Sequence, residues 1–114
     1  MVHEARRGDV WALAGPDYLG KPRPVVVLQS DAFADLDSVT VCLVTSTPPT
    51  EPMSLLRVAL PSGSANGLVV DSWAMVDKIT TAARSKLGKR IGAVSPAQLS
   101  QIARLAVVFL GADT

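Results

Sequence analysis

The sequence predicts a mainly β fold that ends in one α-helix, with the strands arranged as a compact barrel or a strongly bent sheet. Short apolar segments recur at close spacing through most of the chain, and eight glycines and eight prolines punctuate them. Apolar residues take up helical spacing only after residue 95. At 114 residues the chain is expected to form a single domain, residues 1–114.

The first half of the chain predicts three strands, over residues 10–13, 25–28 and 38–46. The third segment is nearly all β-branched or apolar, which indicates a central strand buried on both faces. Between the second and third strands, residues 30–37 predict a single helical turn or a tight connection, with Ser30 or Asp31 as its cap.

The second half predicts three more strands, over residues 55–60, 72–79 and 89–94. A helix is then expected from about residue 96 to residue 110. Ser95 and Gln98 have the spacing of a capping box, and Pro96 suits the first helical position. Gly111 is a natural residue with which to end the helix.

Composition limits the classes of function. A net charge of +1 argues against the broad basic face that duplex DNA binding requires. The apolar fraction is 48% and the charged fraction only 18%, which favours coverage by a partner or a second copy. A single cysteine, Cys42, predicts a small core residue and a reducing compartment. No signal peptide or membrane span is expected, so we predict a soluble, cytoplasmic protein.

Most catalytic signatures are missing from the sequence. There is no glycine-rich phosphate loop, GxSxG, HExxH or CxxC motif. His3 is the only histidine and lies in the polar lead-in, which excludes mechanisms that need two histidines. The acidic residues are scattered, so neither a metal site nor a cofactor is expected.

Arg23 is the most suggestive single residue. It lies between Pro22 and Pro24 at the entrance of the second strand. The two prolines restrict the backbone to an extended form, so the cation is positioned at low entropic cost. Such an arginine suits a phosphate or another anion. The alternative from this segment alone is a solvated arginine at the start of a strand.

Five segments together resemble the MazF/PemK family of toxin endoribonucleases. They are, in order, R-R-G-D-V-W, K-P-R-P-V-V-V-L-Q, V-T-V-C-L-V-T-S-T, N-G-L-V-V-D-S-W-A-M-V-D-K-I-T-T and R-I-G-A-V-S-P-A-Q-L-S-Q-I. The resemblance extends over residues 6–110. It implies a small, strongly bent β-barrel of the CcdB/PemK/MazF plasmid-maintenance toxin type, a homodimer, metal-independent cleavage of single-stranded RNA and silencing by a cognate antitoxin.

The resemblance also implies site residues. Arg23 and Thr45 take the positions of the family's catalytic pair, and Asp77 stands where some relatives have an acidic residue that acts as base or acid. RNA contacts are expected from residues near these positions: Asp17, Tyr18, Lys21, Ser46, Thr47 and Lys78. The chain departs from the family pattern at Met75 and Thr80, where arginines are common.

Other interpretations remain open at this stage. CcdB-type toxins share the fold but poison DNA gyrase without chemistry, although this chain lacks their tryptophan-bearing C-terminus. A decayed toxin that binds RNA or antitoxin without cutting is a further alternative. The basic run formed by Arg84, Lys86, Lys89 and Arg90 is predicted to be a solvated edge, an RNA-backbone contact or a dock for an acidic antitoxin tail.

Overall fold

The computed structural model describes residues 4–15 and 21–114. Within them the chain forms six strands and one α-helix: β1 (Asp9–Leu13), β2 (Arg23–Val27), β3 (Ser38–Thr45), β4 (Arg57–Leu60), β5 (Ser72–Ala83), β6 (Leu87–Ala93) and α1 (Pro96–Phe109). Three short 3-10 helices connect them: Asp31–Phe33, Met53–Leu56 and Arg84–Lys86. The predicted mainly β fold with a C-terminal helix is therefore confirmed.

The six strands form one sheet in the order β4-β5-β3-β2-β1-β6, and every neighbouring pair is antiparallel. Among the described residues no ladder joins β4 to β6, so the sheet is open where a barrel would close. The β3–β5 ladder contains a β-bulge. The β3 register passes from Cys42 opposite Ile79 to Val44 opposite Ala74, so four β5 residues, 75–78, face Leu43. Such a bulge redirects the strand.

Strand β3 is buried on both faces, as its composition predicts. On one face Cys42 and Val44 belong to a core cluster that includes Ile102 of α1. On the other face Val39 and Val41 pack with Trp11 in a second cluster. Because α1 covers the first face, the second face remains available for a site at the ends of the strands.

Several boundaries differ from the sequence predictions. Strand β2 begins at Arg23 rather than residue 25, and residues 55 and 56 belong to a 3-10 helix instead of β4. Strand β5 continues to Ala83 because its last residues pair with the beginning of β3, where Ala83 lies opposite Ser38. Strand β6 begins at Leu87, which pairs with Leu13 of β1. The extensions follow long-range strand partners, whereas β4 is shortened by the local 3-10 helix, in which the Leu55 amide donates to the Pro52 carbonyl at 3.2 Å.

Helix α1 agrees closely with its local signals. The Ser95 hydroxyl accepts from the Gln98 amide at 3.1 Å, and the Gln98 side chain accepts from the Ser95 amide at 2.9 Å. Gly111 has φ of +70° and follows the last turn, which suits glycine. In the described part of the chain, α1 included, we find no helix both long and apolar enough to cross a membrane.

Candidate functional site

Arg23 and Thr45 lie at the same end of two neighbouring strands. Arg23 is the first residue of β2, and Thr45 is the last residue of β3. In the antiparallel ladder Val25 is opposite Leu43, and continuing that register by two residues places Arg23 opposite Thr45. Both residues line one groove of about 580 Å³, here called the Arg23 groove. The structure therefore brings the predicted catalytic pair together.

The Arg23 groove is positively charged. Its lining includes three cations, Arg23, Lys78 and Lys86, and, among the described residues, no carboxylate. Its hydroxyl groups come from Thr45, Thr80 and Thr81, and its apolar surface includes Leu13, Leu43 and Met75. This combination suits a polyanion that also presents apolar base or sugar surface. Across residues 4–15 and 21–114, no three His, Cys, Asp or Glu side chains group as metal ligands.

The Thr45 hydroxyl is oriented by its own loop. Its Oγ1 accepts a hydrogen bond from the Thr47 amide at 3.1 Å, which is a local turn of the kind that Ser and Thr form. A hydroxyl that accepts in this way keeps its single hydrogen for donation to another group. Thr45 is half-buried, and Ser46 and Thr47 are exposed next to it. This end of β3 therefore presents an oriented hydroxyl donor.

Asp77 lies at the β-bulge of β5 and not in the lining of the Arg23 groove. Its Oδ1 is 2.6 Å from Nη1 of Arg57, and its Oδ2 is 3.8 Å from Nζ of Lys78. The Arg57 and Asp77 side chains are only 10% and 15% exposed. The predicted role of Asp77 as acid or base stays a prediction, and the geometry adds an arginine partner to it.

Arg57 is a candidate site residue that the sequence did not point to. It begins β4, twenty residues before Asp77, and lies opposite Met75 in the β4–β5 ladder. It also lines a cleft of about 210 Å³ together with Thr45 and Thr47, here called the Arg57 cleft. No local pattern marks this residue, because its position depends on the register between two strands.

The other predicted contact residues do not all line the same cavity. Lys78 lines the Arg23 groove, Thr47 lines the Arg57 cleft, and Lys21 is exposed two residues before Arg23. Asp17 and Tyr18 lie outside the described residues. Met75 and Thr80, the two departures from the family pattern, both line the Arg23 groove.

The predicted basic run does not form one surface. Arg84 is buried, and its Nε donates to the carbonyl of Leu36 at 2.7 Å, so a solvated edge is wrong for this residue. Arg90 pairs with the buried Asp9 at 3.2 Å. Lys86 lines the Arg23 groove, whereas Lys89 lines a separate recess on the other side of Arg23. Arg84 and Lys86 belong to the 3-10 helix at residues 84–86, whereas Lys89 and Arg90 lie on β6.

Cys42 lies behind the site in the core. Burial raises the pKa of its thiol to about 12, and the Sγ donates to the Met75 carbonyl at 3.3 Å. A thiol with so high a pKa remains protonated near neutral pH and is a poor nucleophile. The interpretation of Cys42 as a core residue is confirmed.

The sequence is similar to those of known proteins. Residues 6–110 match the sequence model of a family described as PemK-like, MazF-like toxins of type II toxin–antitoxin systems. A probable endoribonuclease MazF from Mycolicibacterium smegmatis is 41% identical over 107 residues, which cover 93% of this chain and 96% of that protein.

Solved structures show the same fold. A MazE–MazF crystal structure from Deinococcus radiodurans aligns with a TM-score of 0.76 at 21% identity, covering 93% of this chain and 94% of that chain. The Mycobacterium tuberculosis toxin MazF-mt6 aligns with a TM-score of 0.74 at 24% identity, covering 90% and 96%. An endoribonuclease in complex with its cognate antitoxin, from a mycobacterial species, aligns with a TM-score of 0.74 at 22% identity, covering 96% of each chain.

Proposed function

Because this chain belongs to the PemK-like, MazF-like family of toxins of type II toxin–antitoxin systems, we propose that it is an endoribonuclease silenced by a cognate antitoxin. Its substrate is single-stranded RNA, cut selectively at particular sequences without a metal ion. The observation that carries the proposal is the meeting of Arg23 and Thr45 in one groove whose described lining is cationic. The cytoplasm, where RNA is abundant, is its place of action.

The reaction is a transfer at phosphorus that the substrate itself begins. The ribose 2′-oxygen attacks the adjacent phosphorus, and the bond from phosphorus to the 5′-oxygen of the next nucleotide breaks. The 2′-hydroxyl loses its proton, and the leaving 5′-oxygen gains one. The products are a 2′,3′-cyclic phosphate, which can open to a 3′-phosphate, and a 5′-hydroxyl. DNA lacks the attacking group and is not a substrate.

Arg23 stabilises the negative charge that accumulates on the phosphoryl oxygens during this attack. A guanidinium offers paired N–H donors that match two such oxygens, and it remains protonated at neutral pH. Its role is therefore electrostatic rather than that of a proton carrier. The flanking prolines keep the backbone extended, so little entropy is lost when the arginine engages the phosphate.

Thr45 donates its hydroxyl hydrogen to a phosphoryl oxygen or steers the attacking 2′-oxygen. The Thr47 amide occupies one acceptor site of the hydroxyl and leaves the donor for the substrate. Lys78 and Lys86 attract the flanking RNA backbone into the groove. Lys21, Ser46 and Thr47 extend the contact surface, and we expect RNA contacts from Asp17 and Tyr18 as well.

The protein acts as a homodimer. Large apolar side chains are exposed at the end of α1 and on the neighbouring 3-10 helix, including Val108, Phe109, Leu110 and Leu55. A second copy would remove such surface from water. Analytical ultracentrifugation of the isolated chain measures this directly, and a monomer at all accessible concentrations would contradict it.

The decisive experiment is cleavage of total RNA by the purified chain in EDTA, with cut sites mapped by primer extension. We expect discrete cuts with 5′-hydroxyl ends, and a loss of roughly 10²–10³ in rate for Arg23→Met and for Thr45→Val. Arg6→Met is the matched control, because Arg6 is exposed at the opposite end of the sheet from Arg23. Full activity of Arg23→Met would contradict the proposed site.

Two further assays, gyrase supercoiling and growth on expression of the protein, separate the alternatives. Intact RNA together with inhibition of gyrase supercoiling would favour a CcdB-like poison. Intact RNA with no effect on growth when the protein is expressed would favour a decayed toxin, consistent with the Met75 and Thr80 departures.

A further inference from the structure

The Arg57 cleft shares a wall with the Arg23 groove. Thr45 and Met75 line both, and Thr47, Thr50, Met53 and Arg57 complete the far side of the cleft. Its volume of about 210 Å³ is smaller than the roughly 300–1,000 Å³ typical of small-molecule sites. A cleft of this size suits one group of a chain passing over it better than a separate ligand.

Arg57 keeps unused donors. Within the described chain its guanidinium donates two hydrogen bonds, both from Nη1, to Asp77 Oδ1 at 2.6 Å and to the Leu56 carbonyl at 3.2 Å. Nη1 has two hydrogens, so these bonds use both of them. Among the described residues, Nε and Nη2 have no protein acceptor. Neither Nε nor Nη2 is a buried atom without a hydrogen-bond partner, because in the described chain Nη1 of Arg84 is the only side-chain atom of that kind. Three N–H groups therefore remain for a solvent-side partner.

Asp77 holds that guanidinium in place. The carboxylate is anchored at the β-bulge of β5 and is itself mostly buried. An arginine that is already ordered by an ion pair loses little side-chain entropy on binding a second anion. Because the ion pair with Arg57 neutralises the Asp77 carboxylate, this carboxylate does not repel an incoming phosphate as an unpaired one would.

We propose that the Arg57 cleft is a second phosphate subsite of the RNA strand, in which Arg57 binds the phosphate next to the one that is cut. Asp77 is then a positioning residue that fixes the Arg57 guanidinium. This inference rests on the proposed ribonuclease function and adds a binding residue to it. Arg23 and Arg57 lie on either side of Thr45, so the strand crosses the Thr45 hydroxyl between two arginines.

The test neutralises the phosphate instead of relying on the protein variant alone. An RNA that spans a mapped cut site is made with 2′-deoxyribose at the cut nucleotide, so that it binds without cleavage. Uncharged methylphosphonates replace the two flanking phosphates, one at a time, and dissociation constants are measured by fluorescence anisotropy. With the wild-type protein we expect one of the two substitutions to weaken binding about ten-fold through loss of the Arg57 contact.

Arg57→Met should weaken binding of the unmodified RNA by a similar factor. The same methylphosphonate should then cause no further loss of affinity in this variant. If the penalties of the variant and of the methylphosphonate simply add at both positions, Arg57 does not contact either phosphate and the proposal is overturned. Arg6→Met is the control for loss of a remote arginine, and it should keep the wild-type sensitivity.

Two further variants test the proposal. If Arg57→Met does not fold, the double variant Arg57→Gln/Asp77→Asn, which replaces the ion pair with a neutral amide pair, is used instead in the comparison with the methylphosphonates. Asp77→Asn alone should raise KM more than it lowers kcat and should reduce the methylphosphonate sensitivity. A lowered kcat with sensitivity unchanged would contradict the positioning role.

Failure of this subsite is distinguishable from failure of the proposed function. If the wild-type protein cuts RNA but the affinity penalties of Arg57→Met and of the methylphosphonates add, only the subsite proposal is wrong. If the wild-type protein neither cuts nor binds RNA, the proposed function is wrong and the subsite proposal fails with it.

Discussion

Cys42 offers a quantitative test of how deeply β3 is buried behind the site. In the folded protein burial raises the pKa of the Cys42 thiol from 9.0 to about 12, and the neighbouring Asp77 carboxylate acts in the same direction. The thiol is neutral in both folded and unfolded chains well below pH 9.0 and makes no pH-dependent contribution there. Above that pH the unfolded thiol ionises while the folded thiol keeps its proton. Stability is therefore lost progressively as pH rises from 9.0 toward about 12.

The size of the effect follows from the two pKa values. Well between them, each pH unit lowers the free energy of unfolding by about 1.4 kcal/mol, so about 2 kcal/mol is lost on going from about pH 8 to about pH 10.5. Urea unfolding is measured at about pH 8 and about pH 10.5 for the wild type and for Cys42→Ala. Every other side chain is common to the two proteins, so the difference between their pH dependences isolates the thiol.

We expect Cys42→Ala to be less stable than the wild type at about pH 8 because it leaves a small cavity, and to lose less stability on raising the pH. Parallel pH dependences of the two proteins would contradict this expectation. Rapid reaction of the wild-type thiol with a maleimide under native conditions would contradict it as well. Either result would show that β3 is not closed over Cys42.

Two more predictions concern the scaffold. Gly92→Ala should cost about 1–3 kcal/mol or more, because an added Cβ would lie 2.5 Å from the Ala65 carbonyl oxygen. Gly88→Ala on the same strand is its control, since the nearest atom there is 3.6 Å away, and urea unfolding should show a change within about 0.5 kcal/mol. Equal losses in the two variants would contradict the close approach of residues 65–66 to β6. Ser95→Ala should cost about 1 kcal/mol through loss of the capping box, whereas Ser100→Ala in the middle of α1 should be neutral or slightly stabilising. Thermal unfolding checks this pair, and similar melting temperatures would rule out a contribution from the cap.

Local sequence signals located the parts of the structure that depend on neighbouring residues. The capping box, Pro96 and Gly111 define α1 to within one residue, because each acts within a turn of the helix end. The composition of residues 38–46 identified a strand buried on both faces, and the structure places core clusters on each. The pairing of Arg23 with Thr45 came from the ordered family motifs, since nothing local joins residues twenty-two positions apart.

Which distant side chains meet could be read only from the folded chain. The contact of Arg57 with Asp77, the burial of Arg84 and the extension of β5 to Ala83 all depend on strand register and on the bulge opposite Leu43. A shift of one residue in such a register turns every side chain to the other face, and no short window of sequence contains that information. Local sequence thus specifies the element types and the helix ends, and the family motifs identify the proposed catalytic pair. Long-range pairing of the strands sets the shape of the groove and places the second arginine beside it.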